Sequence, residues 1–274
     1  MNHLLRGLAP ISESGWQMLD REARDRLAPA LAARRLVDFS GPHGWEHSAT
    51  NIGRTGALKG APVRGISALQ RRVLPLVELR AEFELALAEL RDADRGADDA
   101  DLAPLDAAAH RIATAENVAV FHGWPGAVSG ISATSPHKPI SLGKPDNYPR
   151  AVAQAVELLL ESGVAGPFGL ALGPDRYRVV IETAEHGGYP LREHLRGILD
   201  GPIVWAPGLS GGIVVSLRGG DFVIDSGQDI SIGYTSHDGR VVALYLEQSF
   251  SFHAATPEAA VALTAGAARA SGAR

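Results

Sequence analysis

At 274 residues, with 45% hydrophobic and 21% charged side chains, the chain can build one large or two ordinary domains around a real core. A net charge of −5 gives no general attraction to nucleic acid or an anionic membrane, and the lack of cysteine excludes disulfides, thiolate metal sites and cysteine nucleophiles together. The opening MNHLLRGLAP is too short and polar for a signal peptide and no run reaches a membrane span, so a soluble cytoplasmic protein is expected.

In chain order, the first element is a helix over about Ser14–Ala33. Ser14 and Gln17 have capping-box spacing, and Trp16, Leu19, Ala23, Leu27 and Leu31 form one apolar stripe. Pro29 removes a donor inside that stripe, which predicts a kink. Arg34–Phe39 alternates as a short strand, and Gly41-Pro42-His43-Gly44 reads as a turn. Residues 51–80 carry six Lys or Arg, among them Arg54, Lys59, Arg64, Arg71 and Arg72, against the single Glu78. Gly-punctuated and poor in apolar residues, this stretch cannot make its own core and reads as an extended arm or long hairpin. Residues 89–106 reverse the balance, with seven acids against Arg91 and Arg95. The two blocks are either solvated charged faces, or the basic arm of one copy lies over the acidic stretch of the next.

Leu105–Phe121 returns to helix, with Leu105, Ala109, Ile112 and Ala119 on one side and Gly123 ending it. Helices at Pro149–Ser162, Pro174–Ala184 and Pro190–Leu199 alternate with strands at Phe168–Leu172, Ile203–Ala206 and Ile213–Leu217. A short strand at Asp221–Asp225 precedes a long antiparallel pair, 230–234 against 244–253, turning at Asp238-Gly239. One face is expected to be buried; a one-residue slip would bury Glu247, which should hold the register. The final TAGAARASGAR reads as a disordered tail.

The chemistry is sparse. Gly208-Leu209-Ser210-Gly211-Gly212 matches G-x-S-x-G, but IVVSL follows as a strand instead of a helix, so a serine hydrolase built on Ser210 lacks its context. His43 and His47 are four apart around Glu46, a zinc spacing on a helix; Gly41, Pro42 and Gly44 oppose a helix and no third ligand is suggested. Ordinary surface or packed histidines are expected there, and no metal site. Glu185–Pro190 is a polar, Gly-rich loop, either solvent-facing or gathered with its copies about a rotation axis. No set of nucleophile, base and oxyanion donors emerges, so no catalytic residue is assigned.

Four blocks in order along nearly the whole chain resemble the encapsulins, prokaryotic shell proteins with the tailed-phage major-capsid fold: LAPISESGW at 8–16, RRLVDFSGPHGWE at 34–46, Pro75–Phe83 with Arg95-Gly96, and 219–252 with GGDF and GQDISIGY. The resemblance implies an α+β capsid-like fold. Residues 1–50 would hold a lumenal helix and the start of a peripheral domain, 51–80 an extended loop, and 81–125 the peripheral domain with its spine helix. An axial domain at 126–217, closing peripheral strands at 218–264 and a tail at 265–274 complete it. It implies a non-enzymatic shell of about 60 copies around a cargo enzyme, a peroxidase or a ferritin-like iron oxidase, held by a targeting peptide. The matching positions for that peptide are Leu27, Leu31, Arg34, Asp38, Ile230, Ile232 and Tyr234. Those for a five-fold pore are His186, Gly187, Gly188 and Tyr189, and the basic arm residues would reach a neighbouring subunit. Some relatives bind flavin, though nothing in this sequence marks a flavin site. A secreted bacteriocin- or protease-like role, also attached to some relatives, is the remaining alternative and is opposed by the lack of a signal peptide.

Overall fold

A computed structural model describes residues 3–185 and 188–265. Helix α1 spans Glu13–Ala30. Its cap is Ser12, two residues before the expected Ser14: the Ser12 hydroxyl accepts from the Gly15 N–H at 2.9 Å, while Gln17 reaches only Glu13. Pro29 stands in the last turn and the helix stops one residue later, so the proline ends the helix where a mid-helix kink was expected. A short 3-10 turn over Ala33–Arg35 follows, and strand β1 is Asp38–Ser40, so Arg34 sits on a turn and not on the strand expected there.

Among the described residues, strands β2 (Ala49–Ala57) and β3 (Leu69–Pro75) pair only with each other, forming the long basic hairpin. Strand β4 (Val77–Ala86) then enters the first sheet, followed by α2 (Leu87–Asp94) and the long α3 (Ala103–Phe121), which ends before Gly123 at φ 98°. The second unit comprises α4 (Ile131–Thr134), β5 (Ile140–Ser141), α5 (Tyr148–Glu161), β6 (Phe168–Leu172), α6 (Pro174–Glu182), α7 (Leu191–Leu199), β7 (Ile203–Trp205) and β8 (Gly212–Ser216). Strands β9 (Phe222–Ser226), β10 (Ser231–His237) and β11 (Val241–Ala254) return to the first sheet. Strand β12 (Ala260–Thr264) pairs with β8 and β5 in the second sheet, so the 218–264 segment does not stay with one sheet as expected.

The first sheet runs β1-β9-β11-β10, with β4 along β11; the second runs β5-β12-β8-β6-β7. Ala108, Ala109 and Ala113 of α3 are fully buried in the same cluster as the apolar stripe of α1 and the first sheet's Ile232, Leu244 and Leu246. The tight turn between β10 and β11 is centred one residue beyond the expected pair, on Gly239-Arg240. The Asp238 carboxylate holds it by accepting from the Arg240 and Val241 N–H groups at 2.7 and 2.8 Å.

Strand β11 also corrects the one-faced expectation. Leu244, Leu246, Phe250 and Phe252 are buried, and so are Tyr245, Glu247, Ser249 and Ser251 on the opposite face. Glu247 is 1% exposed in the native register. Arg80 compensates it at 2.5 Å and stacks 3.8 Å over Tyr245, while His3 lies 3.4 Å from its other oxygen. Register is therefore held by this pairing and by Gly233, where a Cβ would collide with the Tyr245 ring.

Candidate functional site

Between α1 and β10 lies a groove of about 440 Å³. Its floor is aliphatic: Leu27 and Ala23 from α1, Leu31 just after it, Ile230 and Ile232 from the β10 side, and Leu246 behind them. Leu4 closes one end, its carbonyl accepting from the Tyr234 N–H at 2.9 Å, so the N-terminal segment is stitched to β10. Charged side chains flank this floor. Arg6 pairs with Asp20 at 2.6 Å and Arg34 with Asp229 at 2.7 Å, while Arg24 has no ion pair among the described residues.

Arg34 anchors the inner end. Its guanidinium takes the fully buried Glu116 carboxylate in a forked pair, Nε to Oε1 at 2.9 Å and Nη2 to Oε2 at 2.8 Å, and Nη2 also donates to Gln248 Oε1 at 2.9 Å. Burial works against the Arg34 charge, but hydrogen bonding and the fields of Glu116 and Asp229 carry its pKa above the ordinary arginine value. The neighbouring Asn117, also fully buried, accepts from the Ala33 N–H and donates to the carbonyls of Ala30 and Pro207. It thereby satisfies the frayed end of α1 and fixes where Leu31 and Arg34 emerge.

Five of the seven expected groove positions thus line one cavity: Leu27, Leu31, Arg34, Ile230 and Ile232. Two do not. Asp38 is exposed in a separate small hollow with Gly219, where its carboxylate accepts from the Gly220 N–H at 2.5 Å. Tyr234 packs into the core and its hydroxyl bonds His237 Nδ1 at 2.6 Å. Glu116 and Asn117 are residues that sequence reasoning missed. Glu116 continues the Leu105–Ala109–Ile112–Ala119 stripe at helical spacing, and an acid on an apolar stripe was the available signal.

Elsewhere the arm residues Arg54, Lys59, Arg64, Arg71 and Arg72 are all exposed. Arg54 stands directly opposite Arg72 across the hairpin, a like-charge pair that disfavours the hairpin in isolation. Leu58, Val63, Ile66, Leu69 and Val73 on the same hairpin are exposed too, so it presents both apolar area and positive charge without an intrachain cover. The acidic stretch is partly consumed within the chain: Asp94 accepts from Ser12 and Ser14, and Arg26 holds Asp106 at 3.0 Å and Glu22 at 2.7 Å. Of the loop positions, His186 and Gly187 lie outside the described residues. Gly188 adopts φ 81°, and the ring of the exposed Tyr189 meets His194, which pairs with Glu185 at 2.8 Å.

Ser210 is exposed in a loop that leads straight into β8, with its N–H donating to His122 Nε2 at 3.1 Å. The strand-turn-helix that a nucleophile elbow requires is absent from this described segment. An apolar trough of about 630 Å³ along α3, lined by Val118 and Trp124, could take an aromatic ring. Its one cation, Arg111, donates to the Glu82 carbonyl at 2.8 Å, and no phosphate-cradling loop lines it, so these residues do not fit a flavin phosphate. No helix among the described residues is long and apolar enough to cross a membrane.

Among solved structures, the chain resembles a virus-like particle from Pyrococcus furiosus at TM-score 0.61, with 18% identity over 90% of this chain and 98% of that one. It also resembles the capsid of an empty GTA particle at TM-score 0.54, with 16% identity over 86% and 90% of the two chains. These similarities establish the phage major-capsid type of fold.

Sequence identifies the group more closely. The family described as "Encapsulating protein for peroxidase" (Linocin_M18) matches residues 1–251. The chain is 45% identical over 270 residues to a type 1 encapsulin shell protein of Rhodospirillum rubrum, covering 96% of each. It is 41% identical over 266 residues to that of Mycobacterium tuberculosis, covering 96% of this chain and all of the other. The chain belongs to the encapsulin shell protein family.

Proposed function

We propose that this chain closes into a hollow icosahedral shell of about 60 copies in the cytoplasm and encloses a cargo enzyme, a peroxidase or a ferritin-like iron oxidase, by gripping its targeting tail. The shell itself performs no catalysis, and small solutes pass through pores that include the 186–189 loop. The observation that carries the reading is the groove between α1 and β10, in a chain that matches an encapsulating family over most of its length. An aliphatic floor of Leu27, Leu31, Ile230 and Ile232 supplies burial energy for apolar tail residues, while the rim pairs Arg6–Asp20 and Arg34–Asp229 orient the peptide backbone. A single short tail binds weakly; an oligomeric cargo offers several at high effective concentration, which gives retention.

The arm supplies assembly. Its exposed aliphatics and five cations need a surface that this chain does not provide, and the still-exposed Asp98 and Asp99 of a neighbouring copy offer the complementary charge. The test is co-expression with a fluorescent protein carrying the C-terminal tail of the product encoded next to this chain. The tagged protein should co-sediment with the shell, and Ile230→Asp should release it while the shell persists. Equal retention by the Ile230→Asp shell would overturn the groove assignment.

A further inference from the structure

Two histidines expected to be ordinary surface or packed residues meet on a buried carboxylate 182 and 178 residues away in sequence. His43 Nε2 lies 2.8 Å from Asp225 Oδ1, and His47 Nε2 lies 3.1 Å from Asp225 Oδ2. We propose that His43, His47 and Asp225 form a binding site for a divalent transition-metal ion of the zinc class at the root of the arm.

The geometry is built, not incidental. The loop carrying the histidines is sewn to the end of β9 by backbone bonds: the His43 N–H donates to the Ser226 carbonyl at 2.9 Å and the Gly44 N–H to the Gly227 carbonyl at 2.8 Å. Gly41, at φ 110°, permits this approach, since a Cβ would strike the Ser226 carbonyl. Asp225 is buried on β9 and itself positioned: Thr50 donates to Oδ2, and the Thr50 hydroxyl in turn meets Ser251 Oγ at 2.5 Å. A carboxylate oriented by hydroxyls behind it is the arrangement by which outer groups aim a metal ligand.

One ligand atom from each residue falls within 4.8 Å of the other two. Tetrahedral ligands about 2.0–2.2 Å from zinc stand about 3.3 Å apart, so small imidazole rotations, with the backbone fixed, complete the site. The His43 side chain is 42% exposed and that of His47 29%, which leaves room for water at the fourth position and an entry path. Two imidazoles and one carboxylate suit zinc, cobalt or nickel, and suit calcium or magnesium poorly. Thr50 lies on β2, so the metal would tie the loop, β9 and the base of the basic hairpin together.

The test uses the untagged full-length shell, stripped with chelator and dialysed against Zn²⁺ at pH 7.5, with bound metal counted by elemental analysis. Wild type is expected to bind one Zn²⁺ per chain. The double variant His43→Gln/His47→Gln changes two partly exposed side chains, and its folding is checked by circular dichroism; it should bind at least tenfold more weakly. Thr50→Ala should weaken binding about tenfold through loss of ligand orientation. Equal zinc uptake by the double variant, or uptake by wild type well below one per chain, would overturn the proposal.

Discussion

The buried Arg34–Glu116 pair gives the sharpest quantitative test. Glu116 is fully buried and its carboxylate satisfies two nitrogens of Arg34, whose side chain is 17% exposed. Glu116→Leu strips that charge and leaves the guanidinium facing an apolar wall. Removing one member of a buried pair costs about 3–5 kcal/mol. Asp229 remains at 2.7 Å and still compensates the guanidinium in part, so the low end, about 3 kcal/mol, is expected. With a urea dependence of about 3 kcal/mol per M, the unfolding midpoint should fall by about 1 M. The chain's four tryptophans report that midpoint by fluorescence. The double variant Arg34→Met/Glu116→Leu should recover part of the loss, because it removes the uncompensated guanidinium but leaves the half-exposed Asp229 and the buried Gln248 carbonyl without their Arg34 partner. A midpoint for Glu116→Leu within 0.2 M of wild type, or a double variant worse than the single, would refute the reasoning.

Other outcomes follow from the same geometry. Arg71→Glu with Arg72→Glu should weaken assembly, shifting the size-exclusion profile from shell to small species; an unchanged profile would remove the arm from the assembly account. Gly41→Ala forces a side chain onto φ 110° against the Ser226 carbonyl and should lower stability by about 1–3 kcal/mol in denaturant titration. His122 accepts from the Ser210 N–H, and burial lowers its pKa below 6.5. The folded state therefore favours neutral His122: its contribution is complete above pH 6.5 and declines as pH falls toward the lowered value. His122→Asn keeps an acceptor without titrating, so its urea midpoint should change less than that of wild type between pH 7.5 and pH 5.

Much of the fold can be read from local pattern because local physics decides it. Phe168–Leu172 is a continuous apolar run between Gly166-Pro167 and Gly173-Pro174, and it is a strand buried along its whole length. The positive φ of Gly123 ends α3 where a left-handed residue was expected, and the Gly-rich basic stretch became a hairpin paired with nothing else among the described residues. The remainder depends on partners distant in sequence. Glu247 sits on the polar side of an alternating strand, and its cover comes from Arg80 and His3. For the groove, periodicity placed the aliphatics on their helix and strand and only the family resemblance gathered them, but Asp38 was misplaced because Arg34 does not share its strand. The His43–His47 spacing lacked its third member because Asp225 arrives only through the parallel pairing of β1 with β9.

Closure into a container is the central claim, and the purified chain alone tests it. Sedimentation with negative-stain microscopy should show hollow particles of uniform diameter, about 60 copies of a 28.8 kDa chain. A stable monomer or dimer at micromolar concentration, with no closed particles, would contradict it.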